Sequence, residues 1–204
     1  MSLTTIVAFL LVDLLLVITP GADWAYAIAA GLRGRSVLPA VIGLVAGYAG
    51  YTVLAVAGLV VIVASSAGLL TGLTITGAAY LLWLGFGVLT RPATVGAAED
   101  LADSPGRVIL RGAGTSGLNP KGLLLYVSLF PQFIDASAGW PVAAQTALFG
   151  VLHMALCGVV YLVVGVLARI VLAAKPQAAR VVSRVSGAMM IAIGGFLLVE
   201  RLAG

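Results

Sequence analysis

The chain has 204 residues, of which 62% are hydrophobic and 9% are charged, and its mean hydropathy is +1.18. Average soluble domains carry roughly 25% charged residues, so the composition excludes a soluble protein and predicts an all-α integral membrane protein. The net charge of +4 does not indicate a nucleic-acid partner, because the basic residues fall in short loops, and the single cysteine, Cys157, excludes an internal disulfide.

Six apolar segments reach the length of roughly 20 residues that a transmembrane helix needs. They run from Leu3 to Leu32, Val37 to Ala64, Leu69 to Thr90, Val108 to Ile134, Val142 to Leu172 and Val182 to Leu202. The second and fifth exceed this length, so we expect them to tilt or to protrude. We interpret residues 91–111, where acids lie among Ala, Gly and Pro, as a solvated cytoplasmic linker between a first repeat, 1–90, and a second, 112–204.

The first segment is interrupted by Thr19-Pro20-Gly21-Ala22-Asp23. Proline removes a backbone donor, glycine relaxes the backbone, and the aspartate places a carboxylate at membrane depth. In lipid, such a break is tolerated only where it is buried in protein or lines a wet cavity. A central aspartate costs ~2.5–3.5 kcal/mol on insertion scales. We therefore interpret the stretch as a transport site on a broken helix.

Asp23 has three interpretations: it binds a substrate ammonium, it carries a coupling proton, or it is a structural partner for Lys121. Lys121 in turn needs a carboxylate ligand or Asp23, unless its side chain extends towards the interface. Asp13, the other acid of the first segment, is a second candidate for proton coupling or a structural hydrogen-bonding residue. Its expected partners include Tyr48 and Tyr51.

The sole histidine, His153, lies in the fifth segment. A lone histidine on an apolar helix is more often a packing residue than a ligand or a relay, so we interpret it as structural. Tyr26, Tyr48 and Tyr126 either line a substrate path or join helices by hydrogen bonds.

Asn119-Pro120-Lys121 interrupts the fourth segment in the same way. Asparagine is a strong N-cap and proline suits the first helical position, so a half-helix is expected to begin here and after Thr19-Pro20. Each such N-terminus carries roughly half a positive charge. Two of them meeting at the midplane would bind an anion such as an amino-acid carboxylate.

The two groups of three segments resemble each other. Pro20 and Pro120 are 100 positions apart, as are Tyr26 and Tyr126. Near the ends of the halves the offset is 110: Gly77-Ala78 matches Gly187-Ala188, Gly85-Phe86 matches Gly195-Phe196, and Arg91 matches Arg201. Because three spans is an odd number, the second group must enter the membrane from the opposite side. The predicted fold is six transmembrane helices in two inverted three-helix repeats, with helices 1 and 4 discontinuous.

Basic residues occur in alternate loops. They are Arg33, Arg35, Arg91, Arg107, Arg111, Arg169, Lys175, Arg180 and Arg184. The intervening loops, near Ser65 and Ser66 and from Asp135 to Pro141, carry none. By the positive-inside rule, both termini are expected outside the cytoplasmic membrane.

Several other chemistries have no matching motif. No Cys/His/carboxylate cluster has metal-ligand spacing, and neither a Walker loop nor a Ser-His-Asp elbow occurs, so we expect no enzyme, no metal and no cofactor. Gly43-x-x-x-Gly47 and Gly68-x-x-x-Gly72 allow close helix packing, within one chain or between two copies in a homodimer.

Three motifs together resemble those of the LysE/RhtB family of bacterial amino-acid exporters: Thr19-Pro20-Gly21 followed by a polar residue, Gly-Leu-Arg-Gly-Arg from Gly31 to Arg35, and Leu-Asn-Pro-Lys from Leu118 to Lys121. The resemblance extends over essentially the whole chain and implies an inner-membrane exporter of amino acids, driven by proton exchange. The signature regions correspond to Thr19, Pro20, Gly21, Asp23, Asn119, Pro120 and Lys121. Many members have Pro-Asn in place of Ala22-Asp23, so this chain has another acid at the break.

We therefore expect alternating-access export of small or aliphatic neutral amino acids, or derivatives, in exchange for protons. The substrate carboxylate meets the half-helix N-termini and Lys121, its ammonium meets Asp23, Tyr26 and Tyr126 line the site, and protons reload Asp23 or Asp13. The expected partners are the lipid bilayer, the substrate and protons. The alternatives are a metal-ion or redox-type transporter of the same architecture, against which one cysteine and one histidine argue, and a passive channel or sensor.

Overall fold

The computed structural model describes residues 2–18, 21–33, 36–58, 67–90, 104–135, 137–173 and 175–203. Every regular element in these ranges is helical, which confirms the all-α prediction. The helices are α1 Leu3–Ile18, α2 Ala22–Leu32, α3 Leu38–Val56, α4 Ala67–Thr90, α5 Pro105–Gly117, α6 Pro120–Leu124, α7 Val142–Ala173 and α8 Pro176–Ala203. A π-helical turn, Leu125–Leu129, and a 3₁₀ turn, Phe130–Gln132, follow α6 directly.

Helices α1 and α2 meet at an angle of 61°, and Thr19 and Pro20 between them lie outside the described residues. Because proline has no N–H, residue 20 cannot donate to the carbonyl of Leu16 as it would in a continuous helix. The Lys121 Nζ donates to that oxygen instead, at 2.8 Å. Trp24 Nε1 donates to the next carbonyl, that of Val17, also at 2.8 Å. Side chains therefore satisfy the C-terminus of α1.

The second break separates α5 from α6. Asn119 Oδ1 accepts a hydrogen bond from the Lys121 backbone N–H at 3.1 Å, so the predicted N-cap and half-helix start are confirmed. Helix α5 begins at Pro105 and therefore includes the last part of the predicted linker 91–111, while residues 91–103 lie outside the described ranges.

Two of the described helices, α3 and the Val142–Val171 part of α7, are long and apolar enough to cross a membrane, and the bent pair α1–α2 would add a third. Helix α7 has 32 residues and exceeds the required length as expected. Helix α3 ends earlier than the predicted second segment, at Val56, and is followed by Gly58 with φ +76°. Residues 59–66 lie outside the described ranges.

Helices from the two halves of the chain pack on each other. Helix α3 packs on α5, α7 packs on α2 and α1, and α4 packs on α8. At each crossing the backbones approach closely: a Cβ added to Gly112 in α5 would lie 2.9 Å from a carbonyl oxygen of α3, and one added to Gly85 in α4 would lie 2.8 Å from the Gly187 oxygen in α8. A Cβ on Gly31 in α2 would overlap the Gly165 carbonyl in α7. Only glycine permits these contacts.

The two predicted small-residue patterns have different surroundings in the structure. Gly43 and Gly47 both face the α5 backbone, so their role in close helix packing is confirmed, within one chain. A Cβ added to Gly68 or Gly72 would have no heavy atom within 4 Å.

Large apolar side chains face outward on α1 and α7. On α1, Leu3 and Leu15 are 75% and 63% exposed, and on α7, Val159 and Ile170 are 62% and 66% exposed. The polar side chains described below face the interior instead, which is the arrangement that a bilayer imposes.

Candidate functional site

The Asp23 carboxylate is the centre of a buried polar cluster. It is 4% exposed and accepts four side-chain hydrogen bonds. Tyr48 Oη donates to Oδ2 at 2.6 Å, Tyr161 Oη at 3.2 Å and Asn119 Nδ2 at 3.3 Å, while Ser116 Oγ donates to Oδ1 at 2.9 Å. All four donors are neutral. Hydrogen bonds of this kind stabilise a carboxylate that has lost its water.

These donors come from both halves of the chain. Tyr48 lies on α3, Ser116 at the end of α5, Asn119 immediately before α6, and Tyr161 on α7. Asp23 itself lies in the first turn of α2, where the helix dipole favours a negative charge. Asn119 therefore joins the two breaks directly: its oxygen caps α6 and its nitrogen bonds Asp23.

A second tier of hydroxyls supports the cluster. Tyr51 Oη donates to the Asn119 carbonyl at 3.4 Å. Tyr126 Oη hydrogen-bonds Thr52 Oγ1 at 2.7 Å and donates to the Tyr48 carbonyl at 3.2 Å. Tyr126 thus holds the helix that carries Tyr48, and it does not reach the carboxylate itself.

Tyr26 lies on α2, three residues after Asp23. Its hydroxyl donates to the Val108 carbonyl at 2.7 Å, which joins α2 to α5. The two tyrosines predicted to line the site therefore both brace helices.

Lys121 lies close to the first break. Its ammonium donates to Leu16 and interacts favourably with the charges of Asp23 and Asp13. A Cβ added to Gly21 would lie 4.0 Å from Nζ, so the absence of a side chain at Gly21 leaves room beside the ammonium. The cation therefore interacts with both the end of α1 and the start of α2.

The other buried acid, Asp13, pairs with His153. The side chains are 0% and 1% exposed, and His153 Nδ1 lies 2.9 Å from Oδ1 and 3.1 Å from Oδ2. The expected partners, Tyr48 and Tyr51, were the wrong choice, because Asp13 faces α7. The interpretation of His153 as a packing residue missed this contact.

The two acids are connected through shared neighbours. The edge of the Tyr48 ring contacts the imidazole with centroids 4.5 Å apart, while its hydroxyl binds Asp23. Cys157 Sγ lies 3.5 Å from His153 Nε2, and Tyr161, one helical turn further along α7, donates to Asp23. Tyr48 therefore touches both His153 and Asp23, and α7 carries a neighbour of each acid.

The structure brings together most of the predicted site residues that it describes. Gly21, Asp23, Asn119 and Lys121 lie at one junction, and Thr19 and Pro20 precede it in the chain outside the described residues. Pro120 begins α6 at this junction.

Four residues near the two buried acids were missed. Tyr161, Cys157 and His153 lie on α7, whose apolar composition gave no periodic signal, and Ser116 lies on α5, which was assigned partly to the linker. For His153 a signal existed: an acid and a base within apolar spans both need partners, and each was the obvious candidate for the other.

A family model for the LysE type translocator matches residues 14–201, which is most of the chain. The chain belongs to the LysE type translocator family. The match includes both breaks and the whole Asp23 cluster. Together with the apolar helices, it identifies this LysE family member as a multi-pass membrane protein.

Relatives of this LysE family member include a membrane protein and two amino-acid efflux proteins. An uncharacterized membrane protein of Bacillus subtilis is 33% identical over 64% of this chain and 68% of its own. A leucine efflux protein of Klebsiella pneumoniae is 31% identical over 63% of each chain, and a threonine efflux protein of Escherichia coli is 28% identical over 63% of this chain and 66% of its own. No solved structure matches significantly. The family and these relatives support membrane transport of amino acids.

Proposed function

We propose that the protein is a secondary transporter, not an enzyme, which exports neutral amino acids across the cytoplasmic membrane in exchange for protons. One observation carries the proposal: a buried carboxylate at the junction of two broken helices accepts hydrogen bonds from both halves of the chain. A site built from both halves changes its shape when the halves rock against each other, which is what alternating access requires.

The proposed architecture is six transmembrane segments in two inverted repeats, 1–90 and 112–204, joined by a cytoplasmic linker. Helix pairing supports it. The second segment of each half packs on the broken first segment of the other half, and the two third segments pack on each other. If the first half of the chain is exchanged with the second, each of these pairings becomes another member of the same set. This is what two repeats related by pseudo-symmetry require. Both termini are proposed to lie outside, because the positive-inside rule favours the arginine-containing loops on the cytoplasmic side.

Asp23 is the proposed site for the substrate ammonium. A carboxylate oxygen has two lone pairs. Oδ2 accepts from three donors, whereas Oδ1 accepts from Ser116. Oδ1 therefore has the capacity to accept a further hydrogen bond from an ammonium, and the pairing of charges at a buried site favours it.

Lys121 is the proposed partner of the substrate carboxylate. Its ammonium donates to the Leu16 carbonyl at the end of α1. The space beside Gly21 lies next to this ammonium, at the buried N-terminus of α2, which also favours an anion. Tyr26 and Tyr126 keep the helices that form this space in register.

The proposed substrates are small or aliphatic neutral amino acids. The named relatives are efflux proteins for leucine and threonine, both of which are neutral. The buried acids within the described spans are already engaged, Asp23 by four donors and Asp13 by His153, so a cationic side chain would find no additional carboxylate there. The coupling proton is carried by one of these two acids.

The test is uphill export from proteoliposomes with a proton gradient, using leucine, threonine and, as a cationic comparison, lysine. We expect leucine or threonine to move against its gradient and to stop when the proton gradient is dissipated. Asp23→Asn should abolish this flux, and Asp135→Asn, the same change at an exposed loop carboxylate, should not. Flux that survives dissipation of the gradient would indicate a channel, and undiminished export by Asp23→Asn would refute the assignment of this residue.

A further inference from the structure

We propose that the Asp13–His153 pair, and not Asp23, holds the proton that is exchanged for the amino acid, and that Cys157 and Tyr161 transmit its protonation state to Asp23. This inference rests on the proposed function, since a proton is exchanged only if the protein is an antiporter. It assigns separate side chains to the two exchanged species, and it gives His153 a function that its isolation in the sequence did not indicate.

The pair can change its charge at a low cost. Histidine is the side chain whose unperturbed charge change lies between about pH 5 and 8. His153 Nδ1 contacts both oxygens of Asp13, so in the neutral imidazole Nδ1 carries the hydrogen and donates it. A proton then adds to Nε2, which turns a buried net charge of −1 into a neutral imidazolium–carboxylate pair. Loading therefore removes a net charge from an apolar interior.

The surroundings of the imidazole favour this role. Tyr48 of α3 and Tyr126 of the π-helical turn contact its ring, with centroids 4.5 and 5.9 Å away, and Cys157 of α7 faces Nε2. Lys121 interacts electrostatically with Asp13 from α6. In model peptides, histidine is the residue type in this group whose pKa lies nearest to neutral pH.

The thiol provides the link to Asp23. Cys157 Sγ lies 3.5 Å from Nε2, and Tyr161, four residues later on the same face of α7, donates to Asp23. In the proposed network the thiol donates to Nε2 when the imidazole is neutral, and its sulfur accepts from the Tyr161 hydroxyl, which also donates to Asp23. The single hydroxyl proton is then shared between the sulfur and Asp23. When Nε2 is protonated, it donates to the sulfur, and the thiol proton turns towards the Tyr161 oxygen. The hydroxyl proton then belongs to Asp23 alone.

This change of hydrogen-bond donors alters the affinity for the amino acid in the direction that antiport requires. A carboxylate with a fully committed donor gains less from a substrate ammonium than one whose donor is shared. Protonation of the pair on the outer side therefore lowers the affinity for the amino acid, which is released there. Deprotonation on the cytoplasmic side restores the affinity.

The experiment measures the KM of leucine-for-leucine exchange in proteoliposomes, with equal pH on both sides, from about pH 8 to 5.5. A coupling of typical size corresponds to a change of roughly 5-fold or more, so the wild-type KM should rise by about that factor on acidification. His153→Gln should exchange leucine at pH 8 but lose this rise. Cys157→Ala should also lose it, whereas Cys157→Ser, the matched control that keeps a donor and an acceptor, should retain it.

The outcomes are distinct. A His153→Gln variant with the wild-type pH dependence would overturn the inference and leave amino-acid export intact. If His153→Gln does not exchange leucine, Asp13→Asn is measured in its place, and loss of exchange by both variants in folded protein would show that the pair is structural. Equal pH dependence in Cys157→Ala and Cys157→Ser would contradict the link. No exchange of any amino acid by the wild type would instead refute the proposed function.

Discussion

Asp13 and Asp23 lie ten positions apart on either side of the same break, and both are buried, yet their surroundings differ. Asp23 accepts four hydrogen bonds from neutral side chains that belong to both halves of the chain. Asp13 lies against the His153 imidazole, a group that is positively charged when it is protonated. Neutral donors stabilise a carboxylate without changing the net charge of the cluster, whereas an imidazole that takes up a proton neutralises its carboxylate partner. Equal burial thus supports two different roles.

The largest expected effect is a difference in stability between the variants Asp23→Leu and Asp13→Leu. The first leaves four buried donors without an acceptor, and each costs about 1–3 kcal/mol. The second leaves one imidazole N–H unsatisfied. We expect Asp23→Leu to lower the thermal unfolding temperature in detergent clearly more than Asp13→Leu. Equal losses would show that the four hydrogen bonds do not hold Asp23 as described.

The next effect concerns Tyr48, whose hydroxyl makes the shortest bond to Asp23, at 2.6 Å. Tyr48→Phe removes this bond and keeps the ring edge against His153. A hydrogen bond to a charged group contributes about 1.5–3 kcal/mol, so the KM for leucine exchange should change by roughly tenfold or more. Tyr161→Phe removes a longer bond, at 3.2 Å, and should change the KM less. The reverse order would place the substrate nearer Tyr161.

The smallest effect concerns Asp135, an exposed carboxylate that serves as a reference for the two buried ones. Hydrogen bonds from the Ser137 hydroxyl and N–H, at 2.6 and 2.8 Å, hold its pKa below the ordinary value of 3.8. A depressed pKa gives stability that is present above the ordinary value and is lost as the pH falls through the lowered one. Ser137→Ala should therefore lower the unfolding temperature slightly at pH 7, and the difference should shrink as the pH falls below 3.8 and through the lowered pKa of Asp135. A difference that grows in acid would contradict this sign.

Much of the candidate site could be predicted from the sequence because prolines and charges are rare in apolar segments. Pro20 and Pro120 located the breaks, and Asp23, Asn119 and Lys121 followed from their positions beside them. The physical reason is general: in lipid, an irregular backbone and an ionised side chain each need partners, so they collect at one place.

The partners themselves could not be predicted. Ser116 and Tyr161 are common residue types with no motif around them, and the rotation of α5 and α7 about their axes determines that they face Asp23. That rotation is set by close crossings such as Gly31 on Gly165, which a sequence shows only as frequent glycine. For the same reason, the partner of Asp13 was expected on the second segment, whereas it is His153 on α7.

The most direct test of the different roles of the two acids is leucine-for-leucine exchange at pH 8 without a proton gradient. It is measured for Asp23→Asn and Asp13→Asn in parallel. Loss of a buried charge partner costs about 2 kcal/mol or more, which is roughly 30-fold in affinity. The account predicts a KM raised by at least that factor, or no exchange, for Asp23→Asn, and near wild-type exchange for Asp13→Asn. Wild-type exchange by Asp23→Asn, with exchange lost in Asp13→Asn, would contradict it.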